Sequence, residues 1–104
     1  MTDRAALRAR LDACVARLVA RAAAERWPIR ADHCFLRIAY DVAVGAKWDT
    51  LHARPAWLTL PLDTLVAAVS VSERIEAGGR EMLVDLNRRS LEFRQTTRQT
   101  SFAT

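Results

Sequence analysis

The chain has 104 residues, with 16 Lys plus Arg against 12 Asp plus Glu and a net charge of +4. This length allows one domain with its own core, and it excludes a kinase, a TIM barrel or a Rossmann enzyme with a second domain. With 3 Gly and 3 Pro the chain lacks the turn residues of an all-β sandwich, and its 51% hydrophobic content excludes a disordered chain.

The first helix is predicted over 3–26, with Thr2 or Asp3 as its N-cap and Pro28 beyond its end. Apolar residues at helical spacing predict its buried stripe: Leu7, Leu11, Cys14, Val15, Leu18 and Ala22. The opposite face is almost wholly alanine: Ala6, Ala9, Ala13, Ala16, Ala20 and Ala23. This alanine face is typical of an exposed helix surface filled with the best helix former. The alternative is that its small side chains let a helix of a second copy of the chain approach closely. Its first five alanines are the candidate homodimer interface.

The second helix is predicted over 32–45 and is expected to be the most buried. Its polar residues share one strip: His33, Arg37, Tyr40 and Asp41. One interpretation is a solvated surface with an Arg37–Asp41 ion pair at i, i+4. The other is a polar wall of a cleft, because such groups lose hydration on an apolar helix unless they meet partners or a ligand.

A tryptophan-containing connector follows over 46–60, with a short helical turn predicted around 47–51. A third helix is predicted over 61–77, with Leu62, Leu65, Val66 and Val69 as its buried row. After Gly78 and Gly79, a fourth helix is predicted over 80–94, and a frayed polar tail over 95–104. The fold class is therefore all-α, a four-helix bundle-like single domain over 1–94.

The fourth helix carries apolar rows formed by Met82, Leu83, Leu86 and Phe93 and by Val84 and Leu91. Asn87, Ser90 and Arg94 fall between or within these rows, so they are predicted to lean inward and face the polar strip. Such a cleft between the second and fourth helices would bind a small anionic ligand, or an acidic segment of a partner, through Arg37 and Arg94.

Catalytic and metal chemistry have little support. No CxxC, HxxxH or HExxH spacing is present, and the adjacent His33 and Cys34 point about 100° apart on a helix. A nucleophilic Cys34 with His52 and Asp49 is disfavoured by its apolar position, which is typical of a core cysteine. General acid–base catalysis by His33 or Asp41 is the catalytic role that the sequence leaves open. We expect no metal and no cofactor, and the sequence favours a binding protein over an enzyme.

The basic excess lies at the two ends of the chain and suggests nucleic-acid binding as a further interpretation. The arginines concerned are Arg4, Arg8, Arg10, Arg17 and Arg21. No recognition-helix, RNP or zinc-finger pattern accompanies them. Neither a secretory signal nor a membrane span is visible, and two cysteines do not make a disulfide framework, so a cytoplasmic location is expected.

The motifs HCFLRI, YD, VG, KWD and RPA, followed by LNRRSL, occur within residues 28–94. In this pattern the chain resembles a group of short uncharacterised bacterial proteins, some of which are labelled acetyltransferases. The chain shows neither the β-sheet nor the glycine-bearing pyrophosphate loop that an acetyltransferase needs. The resemblance marks candidate site positions: His33, Tyr40, Asp41, Lys47, Trp48, Asp49, Arg54, Asn87 and Arg88.

The sequence as a whole predicts a small helical binding module. Its partner is a second copy of the chain or another protein, and self-association is expected to use the alanine face. The first alternative is a protein, or an acetyltransferase-like enzyme, that holds a small anionic ligand in the cleft. The second alternative is a basic nucleic-acid binder. No interaction with a membrane is expected.

Overall fold

The computed structural model describes the backbone of residues 3–103 and the side chains of residues 3–96. In chain order the helices are α1 (Arg4–Glu25), α2 (Asp32–Val44), α3 (Trp48–Leu51), α4 (Ala56–Thr59) and α5 (Leu62–Ala103). This part of the chain contains no strand, so the all-α prediction is confirmed. The described residues form five helices, two of them only four residues long, and an exact four-helix bundle is not confirmed. Over residues 3–103, none of the helices has both the length and the apolar character needed to cross a bilayer.

Helix α1 begins and ends as its sequence dictates. The side chain of Asp3 accepts a hydrogen bond from the Ala6 amide at 2.7 Å, which satisfies one free N–H of the first turn. Arg26 ends the helix in the left-handed region at φ 55°, and Pro28 follows. All six residues of the predicted stripe are buried, so the periodicity located the inner face correctly. The other candidate N-cap, Thr2, lies outside the described residues.

Helix α2 lies at the centre of the core, packed mainly against α5 and also against α1. It buries Phe35, Ile38 and Ala39 completely, together with one charged residue, Asp41. The predicted stop is confirmed at Gly45, which takes a left-handed φ of 79° and donates its amide to the Asp41 carbonyl. One buried polar group on an otherwise apolar helix requires partners from elsewhere in the fold.

Helix α5 contains a sharp bend at Gly79. Its φ of 69° and ψ of −152° fall in a region that only glycine populates freely, so the helix cannot continue straight through this residue. The first segment matches the helix predicted over 61–77, whereas the second covers the helix predicted over 80–94 and continues to Ala103. Arg21 of α1 fills the inside of the bend and donates to the Glu76 carbonyl at 2.7 Å. The bend lets both segments pack against α1 and α2.

The connector is ordered by contacts with α1. Arg4 donates to the main-chain carbonyls of Trp57 and Leu60 at the end of α4, where helix carbonyls have no partner within the helix. The guanidinium of Arg8 lies 4.5 Å from the centre of the Trp57 ring. The predicted turn around 47–51 is confirmed as α3. Together these contacts hold α4 beside α2, where it forms a wall of the site described below.

Several predicted core positions are wrong. Leu62 and Val66 in the first segment of α5 are 42% and 45% exposed, and Val84 and Leu91 in the second are 47% and 49% exposed. Leu51 of the connector is also exposed, at 63%. The other two residues of the row predicted for the first segment, Leu65 and Val69, are buried as expected. Ala68, Ser72 and Ile75 are buried beside them. A frayed tail is expected over 95–104, and most side chains of this range lie outside those that the structure describes.

Candidate functional site

A cavity of about 470 Å³ opens between α2, the connector and the second segment of α5. Helix α2 supplies four wall residues at the i, i+3, i+4 and i+7 positions of one helix face, starting at His33. The connector closes the opposite side, and Arg94 of α5 closes the inner end. The lining residues are His33, Leu36, Arg37, Tyr40, Trp48, Arg54, Pro55, Ala56, Trp57 and Arg94. The volume is typical of a pocket for a small molecule.

The inner end of the cavity is organised by Asp41, whose side chain is fully buried. Arg94 donates from Nε to Oδ2 at 2.7 Å and from Nη2 to Oδ1 at 3.2 Å. The Ser90 hydroxyl donates to Oδ2 at 2.6 Å, and the Trp48 amide donates to Oδ1 at 3.1 Å. Four donors thus satisfy the carboxylate, as a buried charge requires. The same bonds tie α2, α3 and α5 together around the cavity.

Arg37 lies beside this cluster and is half-buried. Its Nη1 donates to the Ser90 hydroxyl and its Nη2 donates to the Asn87 Oδ1, both at 2.8 Å. The ion pair with Asp41 predicted from the i, i+4 spacing does not form, because Asp41 turns into the core and binds Arg94. The guanidinium has five N–H donors, so Arg37 keeps donors for a molecule in the cavity.

Arg54 stands at the outer edge of the cavity. Its Nη2 donates to Asp49 Oδ2 at 2.8 Å, and its guanidinium lies 5.1 Å from the centre of the Trp48 ring. Burial opposes ionisation of Asp49, but the hydrogen bond from Arg54 and the charges of Lys47 and Arg94 outweigh it and lower the pKa of this carboxyl. Asp49 is therefore ionised at neutral pH and neutralises Arg54.

Two aromatic side chains meet at the floor of the cavity. The rings of Tyr40 and Trp48 are 5.3 Å apart between centroids and tilted by 58°, which is within the distance range of favourable aromatic pairs. Burial, with a contribution from the Asp12 carboxylate, raises the pKa of the Tyr40 hydroxyl. The phenol is therefore uncharged at neutral pH. The floor gives the cavity an apolar surface next to its cations.

The structure places the predicted site residues in three groups. Six of them line the cavity: His33, Arg37, Tyr40, Trp48, Arg54 and Arg94. Three lie behind the wall as hydrogen-bond partners: Asp41, Asn87 and Asp49. Lys47 and Arg88 are not among the lining residues, and Arg88 pairs with Asp85 on its own helix. The inward lean predicted for Asn87, Ser90 and Arg94 is confirmed by their bonds to α2.

Sequence reasoning missed the contribution of α4 to the site. Ala56 and Trp57 form part of the wall, beside Pro55. The sequence signal for this contribution is the stretch RPAW at positions 54–57 of the connector. What the sequence did not reveal is the contact of Arg4 and Arg8 with this segment, because these residues lie more than forty positions away in the chain.

The site offers little for catalysis. Asp41 has no solvent exposure and four hydrogen bonds, which leaves it unsuited to move a proton to or from a ligand. His33 lies at the rim with its side chain 80% exposed. Within the described residues, no group of three or more His, Cys, Asp or Glu side chains is placed to hold a metal ion. The arrangement is best suited to binding.

The arginines considered for nucleic-acid binding all have partners within the chain. Arg4 binds carbonyls and Arg8 pairs with Asp12 while lying over Trp57. The other three pair with acidic residues: Arg10 with Glu73, Arg17 with Glu76, and Arg21 with Glu25. These contacts offset part of the positive charge that a phosphate backbone would meet on this helix. The alanine face of α1, in contrast, is exposed at all five candidate interface positions.

Comparisons of the chain with models of protein families, with curated proteins and with solved structures find no match. The resemblance to short bacterial proteins therefore stays a prediction, as do the acetyltransferase label and the site roles that it implies.

Proposed function

We propose that the protein binds a small anionic ligand in the cavity between α2, the connector and α5. The observation that carries this proposal is the convergence of Arg37, Arg54 and Arg94 on one cavity of about 470 Å³. Asp41 and Asp49 pair with Arg94 and Arg54, and the group still carries an excess of positive charge that a bound anion would reduce. None of the lining residues in the described part of the chain is acidic. The free Cys14 and Cys34 support a cytoplasmic setting for this binding.

The cavity walls support a small molecule as the occupant. The guanidinium of Arg94 is held by Asp41 and that of Arg37 by Ser90, so both cations are positioned before a ligand arrives. A positioned donor loses little entropy on binding, which favours affinity for a small ligand. Planar guanidinium groups also bind carboxylates and phosphates through two parallel hydrogen bonds.

The proposal is tested by thermal unfolding in the presence of single carboxylates, phosphates and sulfonates, together with native mass spectrometry of freshly purified protein. A bound anion at one hundred times its Kd stabilises the fold by about 2.7 kcal/mol, which raises Tm by several degrees. We expect a reproducible mass adduct, or such a rise in Tm with at least one class of anion.

The matched variants are Arg37→Gln and Arg88→Gln, which remove the same charge inside and outside the cavity. Arg37→Gln costs about 1–2 kcal/mol of stability, because Ser90 keeps its bond to Asp41. It is expected to abolish stabilisation by the anion, whereas Arg88→Gln is expected to retain it. The proposal fails if no anion raises Tm and no adduct appears, or if both variants respond to anions as the wild type does.

A further inference from the structure

The three cavity arginines differ in how their charges are compensated. Arg94 is paired with the buried Asp41 and Arg54 is paired with Asp49. Each of these guanidinium groups therefore has one carboxylate as a direct partner. Lys47 acts on Asp49 through its charge but is not among the lining residues, so it attracts anions without touching them.

Arg37 has no such carboxylate. The groups that accept its hydrogen bonds are the hydroxyl of Ser90 and the amide oxygen of Asn87, and both are uncharged. Asp41, which lies one turn further along the same helix, is engaged by Arg94. Of the three guanidinium groups that line the cavity, two are paired with a carboxylate, and Arg37 is the one that is not. A half-buried charge without a counter-ion is unfavourable, and a bound anion would compensate it.

Apart from its cations, the cavity wall is largely apolar. Its other members are chiefly aliphatic or aromatic: Leu36, Tyr40, Trp48, Pro55, Ala56 and Trp57. A fully hydrated inorganic anion would leave this surface in contact with water. A ligand with an apolar body removes that surface from water, which favours binding.

We infer that the ligand is an amphipathic monocarboxylate, with its single charge on Arg37 and its apolar body against the tryptophan and tyrosine rings. This inference rests on the proposed function and specifies the charge and shape of the ligand. A dianion such as a phosphate monoester would bring a second negative charge into a wall that compensates only one. A neutral analogue would leave Arg37 without its counter-ion.

The test uses three probes that share a phenyl ring and differ in charge: phenylacetate, phenyl phosphate and benzyl alcohol. Each is titrated by calorimetry into the intact protein at pH 8, where the phosphate monoester is a dianion. We expect phenylacetate to bind at least ten-fold more tightly than either of the others. Arg37→Gln is expected to reduce phenylacetate binding to the level of benzyl alcohol.

A second pair of variants tests the charge balance directly. Asp49→Asn removes one of the two compensating carboxylates and is expected to improve phenyl phosphate relative to phenylacetate by at least three-fold. Asp85→Asn changes the net charge equally but acts on an exposed pair outside the cavity, and it is expected to leave the ratio unchanged.

The inference is overturned if phenyl phosphate binds as tightly as phenylacetate, if Asp49→Asn leaves their ratio unchanged, or if none of the three probes binds. When another anion of the wider panel still binds through Arg37, the proposed function stands and the monocarboxylate inference alone fails. When no anion binds at all, both fail.

Discussion

Arg94 reaches across the fold to Asp41, with Nε 2.7 Å from Oδ2 and Nη2 3.2 Å from Oδ1. The two residues are 53 positions apart and join the end of α2 to the second segment of α5. Arg94 also lines the cavity. The ion pair therefore stabilises the same part of the molecule that holds the proposed ligand.

We expect Asp41→Asn to lower the free energy of unfolding by about 3–5 kcal/mol, because it leaves Arg94 in a mostly buried position without its counter-ion. Urea denaturation with a constant m value measures the change. Asp85→Asn is the matched control, since it breaks an exposed ion pair on α5 and is expected to have little effect. Equal losses for the two variants would contradict the stabilising role of the buried pair.

This ion pair also marks how far the sequence predicts the site. Helical periodicity placed Arg37, Tyr40 and Asp41 on one strip of α2 and predicted that polar residues of the fourth helix would face it. Spacing along one helix suggested that Arg37 would pair with Asp41. A residue from another helix competes for the same carboxylate, and only the packing of α2 against α5 decides which arginine reaches it.

Gly79 is expected to tolerate substitution less well than Gly45. Both have positive φ, but Gly45 lies in the left-handed region that asparagine also adopts, whereas Gly79 has ψ −152°. A Cβ at Gly79 would also lie 3.2 Å from Nη2 of Arg21, while one at Gly45 meets no atom within 4 Å. Gly79→Asn should cost about 1–3 kcal/mol and Gly45→Asn clearly less, as measured by thermal unfolding. A larger loss at Gly45 would contradict the role assigned to the bend.

The bend shows where prediction from the sequence ends. Gly78 and Gly79 correctly predicted the end of one helical segment, because glycine is a common helix stop. The direction of the second segment depends on packing against α1 and α2 that the sequence does not specify. For the same reason Leu62 and Val66 were misassigned to the core. Periodicity finds an apolar stripe, but the stripe includes residues at its edge that no neighbouring helix covers.

The ion pair between Arg17 and Glu76 gives a pH-dependent contribution to stability. The hydrogen bond from Arg17, outweighing partial burial and aided by the charges of Arg17 and Arg21, lowers the pKa of Glu76 from its ordinary value of 4.5. Because the folded state holds this proton less readily than the unfolded chain, the contribution is present above about pH 4.5 and is lost as pH falls below it.

Glu76→Gln is therefore expected to lower the urea midpoint at pH 7, with a smaller difference from the wild type at pH 3. Glu81→Gln serves as the control, because Glu81 is exposed and makes no ion pair with the described residues. Its difference from the wild type should be small at both pH values. A Glu76→Gln difference of the same size at pH 7 and pH 3 would show that the ionised carboxylate is not the source of stability.

Because the alanine face of α1 is exposed, self-association through this face stays a separate prediction. Small side chains allow the backbone of a second helix to approach closely, and the face borders a groove of about 600 Å³ lined in part by Val15, Val19 and Leu36. Ala16→Glu would place a carboxylate without a partner in that contact, at a cost of several kcal/mol. Sedimentation equilibrium should then give a wild-type mass of twice the chain and a single-chain mass for Ala16→Glu.

The control is Ala77→Glu, at an exposed alanine of α5, which should remain dimeric. A wild type with the mass of one chain, or an Ala16→Glu variant that stays dimeric, would show that this face is a solvated surface built from the strongest helix-forming residue.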